Sequence, residues 1–133
     1  MDEALTANVN GMAPFGELLG IEWTGAGPDE VTARLAWDAS RCTAGGVLHG
    51  GALMGLADSA GGLLAFLNLP EGATGTATLE SKTNFFAPVR GGSVHAVARP
   101  LHKGRRTIVV DTDLRDDEGR LVARVTQTQA VLP

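Results

Sequence analysis

Hydrophobic and polar residues alternate through most of the second half of the chain, as they do in β-strands with one buried face. Four such stretches follow residue 75, with turn-forming sequences between them: residues 76–86, 94–98, 107–114 and 121–131. Pro100 lacks a backbone N–H and is expected to end the second of them. Residues 31–37 alternate in the same way, after a shorter apolar stretch. The pattern therefore predicts two strands early in the chain and four antiparallel strands late in it.

One segment breaks this alternation, because residues 50–69 are apolar almost throughout and rich in glycine and alanine. A helix that is apolar on nearly every side must be covered by other parts of the protein. A loosely amphipathic helix is predicted before the strands, over residues 2–20, broken by Gly11 and Pro14. The order of these elements predicts an α+β fold in which one antiparallel sheet curls around the long helix.

Composition narrows the classes of protein that this chain can represent. A length of 133 residues predicts one domain, spanning 1–133. A formal net charge of −4, no tyrosine and only six other aromatic residues argue against a nucleic-acid partner. Cys42 is the only cysteine, so an intramolecular disulfide is impossible. No group of residues has the spacing of metal ligands, and no metal site is predicted.

The long apolar segment approaches the length that spans a bilayer, about 20 residues. Asp58 lies near its centre, however, and no basic residues flank it, so we expect a helix buried inside a soluble protein. Met1-Asp2-Glu3 does not begin a signal peptide. The sequence therefore predicts a cytoplasmic protein with no membrane partner.

The start of the long helix is the first candidate for chemistry. Gly50 and Gly51 lie where backbone N–H groups lack partners within the helix and the helix dipole is positive. Without side chains there, a ligand oxygen can approach these donors closely. The alternative is a glycine turn that only redirects the chain.

Asp58 is the second candidate, as the only ionisable residue on this helix. Either it is retained for chemistry, or it pairs with a strand Arg or Lys or faces solvent. Eight residues of helix place it about 12 Å from Gly50, too far for one carbonyl group to contact both. Two helices related by a twofold axis would bring them together, so we expect a composite site in a homodimer.

Basic residues concentrate in two turns of this acidic chain. Lys103, Arg105 and Arg106 lie between the second and third of the late strands, and Arg90 lies in the turn before the second. These turns are candidates for binding phosphate groups. The alternative is that these basic residues have no ligand, since solvent-exposed turns commonly contain charged side chains.

The sequence His49-Gly50-Gly51, with Asp58 nine residues after the histidine at the head of a small-residue helix, resembles the hotdog-fold acyl-CoA thioesterases. It is most similar to their phenylacetate-degradation branch, which includes proteins like 4-hydroxybenzoyl-CoA thioesterase. The resemblance extends from about residue 15 to the end, and includes Phe85-Phe86-Ala87-Pro88 and the Gly104 turn.

This resemblance implies a curled sheet around a central helix, dimers that commonly pair into tetramers, and hydrolysis of acyl-CoA without metal or organic cofactor. It implies that Asp58 attacks the thioester or activates water, and that the Gly50 N–H polarises the carbonyl. His49 would support the loop, and Thr78 would orient water. Thr43 occupies a position where relatives often have Asn or Gln, so the position of the water is expected to differ.

The remaining parts of the substrate are assigned on the same basis. Arg90, Lys103, Arg105 and Arg106 are the candidates for binding the CoA phosphates. An acyl pocket is expected to be lined by Leu53, Met54, Phe85 and Phe86.

Two other functions remain open from the sequence. One is a hydratase or dehydratase acting on acyl-CoA, in which His49 would join Asp58. The other is a non-catalytic module that binds acyl-CoA, which the Thr43 departure suggests.

Overall fold

The computed structural model describes all 133 residues as helices, strands and short connections. The helices are α1 (Glu3–Met12), α2 (Pro14–Leu19) and α3 (Gly50–Phe66), and a short 3-10 turn covers Ala39–Arg41. The strands are β1 (Glu22–Ala26), β2 (Val31–Ala36), β3 (Gly75–Phe85), β4 (Ser93–Lys103), β5 (Thr107–Arg115) and β6 (Leu121–Leu132). All six form one antiparallel sheet in the order β1-β2-β4-β5-β6-β3. The predicted α+β architecture is confirmed.

α3 packs on the inner face of the curled sheet and contacts five of its strands, β2 to β6. Leu56, Ala57, Ala60 and Leu64 are fully buried on the face that meets the sheet. The alanines let the sheet approach the helix closely, and the leucines fill the space between them. No helix combines the length and apolar character needed to cross a bilayer.

The N-terminal segment forms two helices, with the break at Ala13 and Pro14. Gly11 does not interrupt α1, contrary to expectation, since one glycine in an exposed helix is tolerated at modest cost. Buried Asn10 anchors the segment: its Nδ2 donates to the Ile21 carbonyl oxygen at 3.0 Å and its Oδ1 accepts from Trp23 Nε1 at 2.9 Å. These bonds tie α1 to Ile21, which follows α2, and to Trp23 on β1.

β4 does not end at Pro100, so that prediction is wrong. The strand continues to Lys103, with a bulge between Pro100 and His102. β2 pairs with β4 only as far as Ala98, so the missing N–H of Pro100 interrupts no ladder on that side. The longer strand carries the basic turn farther from the start of β4.

β3 lies at an edge of the sheet and is exposed on both faces for most of its length. A bulge between Thr78 and Glu80 disturbs the predicted alternation, and Leu79 is 64% exposed. Long edge strands with exposed apolar side chains are surfaces that associate with other chains. β3 is therefore the part of the sheet most suited to contact a second subunit.

Candidate active site

The N-terminus of α3 presents one backbone donor that the chain does not use. His49 caps the helix, and its ring Nδ1 accepts a hydrogen bond from the Gly51 N–H at 2.7 Å. The N–H groups of Ala52 and Leu53 donate to the His49 carbonyl oxygen. The Gly50 N–H makes no hydrogen bond within the chain. His49 therefore accepts hydrogen bonds from the three N–H groups that follow Gly50, and the Gly50 N–H is available to a ligand oxygen.

Asp58 lies on the exposed face of α3, where two side chains bind one oxygen of its carboxylate. Thr78 Oγ1 on β3 and Gln127 Nε2 on β6 each donate to Asp58 Oδ1 at 3.1 Å. Gln129 Nε2 donates in turn to Thr78 Oγ1 at 2.7 Å. Asp58 Oδ2 makes no hydrogen bond, and no Lys, Arg or His nitrogen lies within 4.0 Å of the carboxylate. One oxygen is held, and the other is free to react.

The structure brings Thr78 to Asp58 but leaves the other predicted catalytic residues at the far end of the helix segment. Gly50 and His49 lie eight or nine residues earlier, about 12 Å away along α3. Thr43 is exposed in the loop before α3, and its side chain makes no hydrogen bond in the chain. Within one chain the site is therefore divided into two parts.

The four side chains assigned to an acyl pocket differ in their burial within one chain. Leu53 is 3% exposed and belongs to the hydrophobic core. Met54 is 40% exposed on α3, and Phe86 is exposed at the end of β3. The Phe85 ring lies against Gly50, where a Cβ atom would approach it to 3.0 Å. Phe85 thus lies beside the free N–H.

A mostly apolar cavity of about 450 Å³ lies between the two N-terminal helices and α3, with Asp58 in its wall. Its apolar side chains come from α1, the α1–α2 connection, α2, β1 and α3: Val9, Met12, Ala13, Phe15, Trp23, Leu63 and Phe66. Pockets of this size and character hold small organic ligands. Asp58 is the only titratable residue that lines it.

The basic turn between β4 and β5 remains unpaired. Lys103, Arg105 and Arg106 are exposed, and none forms an ion pair. Arg105 and Arg106 also border a depression with residues 70–73, which follow α3. The turn therefore lies at the end of α3 opposite Gly50.

Arg90 lies just before the other end of β4, a strand that spans roughly 33 Å from Ser93 to Lys103 at about 3.3 Å per residue. It borders a cleft with Asp116, Asp117 and Glu118. The backbone N–H of Arg120 holds the pKa of Asp116 below its usual value, and the His95 side chain does the same for the pKa of Asp117. The length of β4 separates Arg90 from the basic turn, so the two cannot bind one phosphate group in the same chain. The charged carboxylates of Asp116 and Asp117 also disfavour an anion beside Arg90.

Sequence reasoning missed Gln127 and Gln129, which are each 1% exposed on β6. It also missed the contribution of α1 and α2 to the cavity beside Asp58. The sequence did contain a signal for the glutamines. Side chains alternate between the two faces of a strand, so Gln127 and Gln129 lie on the same face as Ala123 and Val125. The cavity had none, since it depends on how two helices pack beside a third.

The sequence is similar to a known protein family and to characterised members of it. Residues 45–123 match the sequence profile of the Thioesterase superfamily. The chain is 35% identical over 131 residues to the 1,4-dihydroxy-2-naphthoyl-CoA hydrolase of Escherichia coli, covering 98% of this chain and 93% of that protein.

Solved structures confirm the predicted hotdog fold. A thioesterase of Haemophilus influenzae superposes with a TM-score of 0.88 at 33% identity, over 96% of this chain and 90% of that one. A variant of the phenylacetic acid degradation protein PaaI of Thermus thermophilus superposes with a TM-score of 0.81 at 31% identity, over 90% of this chain and 99% of that one. The chain thus belongs to the thioesterase superfamily, among its hotdog-fold acyl-CoA thioesterases.

Proposed function

We propose that the protein hydrolyses acyl-CoA thioesters at a site in which Asp58 of one subunit faces the Gly50 N–H of a second. The observation that carries the proposal is the pair of unused groups on α3. Asp58 Oδ2 accepts no hydrogen bond and the Gly50 N–H donates none, although Asp58 Oδ1 accepts two hydrogen bonds and the Gly51 N–H donates to His49. A thioester carbonyl needs a partner of each kind, a donor for its oxygen and a nucleophile or base for its carbon.

The chemistry follows from these two groups. The Gly50 N–H donates to the carbonyl oxygen and stabilises the negative charge that develops there. Asp58 Oδ2 either attacks the carbonyl carbon, forming an anhydride that water then hydrolyses, or removes a proton from the attacking water. In both routes the carbon–sulfur bond breaks and CoA leaves as its thiolate, which is a good leaving group. The products are the free acid and CoA.

A homodimer is supported by the distance between the two groups. About 12 Å of helix separates Gly50 from Asp58, and a carbonyl carbon and its oxygen are about 1.2 Å apart. Two α3 helices that run antiparallel across a twofold axis bring the two groups together twice per dimer. The unpaired edge of β3 and its exposed apolar side chains provide a surface for this association. Pairing of dimers into tetramers remains a prediction from family resemblance.

The cavity between the N-terminal helices and α3 is the proposed site for the acyl group. It is mostly apolar, it reaches Asp58, and its volume of about 450 Å³ accommodates a small aromatic or aliphatic acyl chain. The unpaired cations of the basic turn are the proposed site for the CoA phosphates. No organic cofactor or metal is needed for this chemistry.

The structure gives the hydratase alternative little support. That chemistry needs a histidine base, whereas His49 uses its Nδ1 to accept from Gly51. The test of the proposed function is thiol release from a panel of aromatic and aliphatic acyl-CoAs. We expect turnover of at least one class. Binding of acyl-CoA without any thiol release would contradict hydrolysis and favour the binding module.

Replacing both Arg105 and Arg106 with alanine is expected to raise KM for acyl-CoA about tenfold with little change in kcat, because charge-assisted hydrogen bonds to the phosphates are lost. The corresponding acyl-pantetheine thioester, which lacks the nucleotide phosphates, should keep its KM. Arg120→Ala, which removes a cation from the opposite end of the sheet, is the control. An equal rise in KM for both substrates would contradict this assignment.

A further inference from the structure

Two buried glutamines on β6 are unexpected on the inner face of this sheet. Gln127 and Gln129 are each 1% exposed, and the inward side chains before them on the strand are apolar. Burying an amide reduces stability unless its polar atoms are bonded, and Gln127 Oε1 has no partner. Packing alone does not account for glutamine at these positions. Both amides, however, are connected to Asp58 by hydrogen bonds, Gln127 directly and Gln129 through Thr78.

The direction of each hydrogen bond follows from the chemistry of the groups. An ionised carboxylate only accepts, so the Gln127 atom that faces Asp58 Oδ1 is the amide nitrogen. The single hydroxyl hydrogen of Thr78 is donated to the same Oδ1. The Thr78 oxygen then accepts from the Gln129 amide nitrogen. Gln129 thereby fixes the hydroxyl as a donor toward Asp58.

Gly61 makes room for this arrangement. It lies on α3 less than one turn after Asp58, and a Cβ atom there would be 2.0 Å from Gln127 Oε1 and 2.6 Å from its Cδ. Any larger residue would displace the amide from the helix surface. The helix is therefore shaped to let a β6 side chain reach Asp58.

We propose that Gln127 and Gln129 are positioning residues that hold Asp58 Oδ1, directly and through Thr78, so that Oδ2 is presented to the thioester or to water. The inference rests on the proposed function for its catalytic consequence. The hydrogen bonds themselves can be tested separately.

The kinetic test uses Gln127→Met and Gln127→Glu. Methionine fills similar volume without a donor, so kcat should fall about 10- to 100-fold, the loss typical of one hydrogen bond to a charged group, while KM stays unchanged. The melting temperature should stay equal or rise, because the unpaired Oε1 is removed. Glutamate keeps the shape but sets a second carboxyl group against Asp58, so that the two share one proton. Asp58 is then a weaker nucleophile or base, and kcat should fall at least as much as with methionine.

Other outcomes of this series would overturn the proposal. They are an unchanged kcat in Gln127→Met, or a glutamate variant as active as the wild type. Thr112→Val is the control. Thr112 lies on β5, the strand next to β6, and its buried hydroxyl has no hydrogen-bond partner. It should leave kcat and KM unchanged. Gln129→Met should show a kcat loss in the same direction, again without a change in KM.

A measurement without substrate separates this proposal from the proposed function. The side-chain amide resonances of Gln127 should move in ¹H–¹⁵N spectra when Asp58 is replaced with alanine. If the wild type hydrolyses no acyl-CoA, the proposed function fails, yet this shift would still support the hydrogen bonding. Active wild-type enzyme with no shift would overturn the positioning role and leave the function intact.

Discussion

Asp58→Asn is expected to lower kcat by about a thousandfold or more while the protein folds normally. An amide is neither a nucleophile nor a base at neutral pH. The asparagine oxygen can still accept from Thr78 and Gln127, and its NH₂ group replaces only the free Oδ2. Thiol release under saturating acyl-CoA measures the loss, and the melting temperature reports the fold.

Asp29→Asn is the matched control for charge. It removes one carboxylate from the turn between β1 and β2, at the sheet edge opposite β3, on an exposed side chain with no ion pair. Its activity should equal that of the wild type. Retention of more than about a tenth of wild-type kcat in Asp58→Asn would contradict the assigned role of Asp58, since a nucleophile or base contributes far more than tenfold.

Gly50→Pro is expected to lower kcat about 10²- to 10³-fold, the loss associated with one oxyanion donor. Proline removes the N–H and is tolerated at the first position of a helix. It also adds a Cβ atom against the Phe85 ring, and the alanine variant below controls for that contact. His49 already has the extended backbone that precedes proline, with φ −63° and ψ 135°. The expected loss is therefore one of catalysis and not of folding.

Gly50→Ala distinguishes the loss of the N–H donor from the steric effect of adding a side chain at this position. Alanine adds a Cβ atom, which would lie 3.0 Å from the Phe85 ring, and keeps the N–H. The ring is half exposed and can move by the small distance required. Alanine should keep most of the activity that proline loses. Equal losses in the two variants would assign the effect to the Phe85 contact and contradict the role of the N–H.

Periodicity predicted the sheet and the central helix because one side of each inner strand is buried and α3 buries the face that meets the sheet. The expectation that α3 is covered on nearly every side was too strong, since Met54, Asp58 and Phe66 are exposed. Where the sheet has an edge, the same argument weakens. β3 is exposed on both faces, so its alternation says little about the core, and its bulge could not be anticipated. Pro100 misled for a related reason, because its effect depends on whether β2 still pairs with β4 there.

The site was partly predictable because its central residues lie within one helix segment. The spacing of Gly50 and Asp58 on α3 already implied that one chain could not complete the site. The partners of Asp58 were harder to find. Thr78 came only from family resemblance, and Gln127 was overlooked because polar residues in a strand are usually taken to face solvent. A glutamine at an inward position is the stronger signal.

The relation between the basic residues was also partly available in the sequence. Arg90 precedes the predicted fourth strand and Lys103 follows it, so the two lie at opposite ends of any extended strand. The acidic surroundings of Arg90 come from the β5–β6 turn. That contact depends on the order of strands in the sheet, which periodicity does not determine.

The central claim is that each site combines Asp58 from one subunit with Gly50 from another. The most direct test mixes Asp58→Asn and Gly50→Pro chains, unfolded together and refolded as dimers. A mixed dimer holds one site with both groups intact, so random association should restore about one quarter of wild-type activity from two inactive parents. Activity that stays at the level of the parents would contradict a shared site and place Asp58 and Gly50 in separate roles.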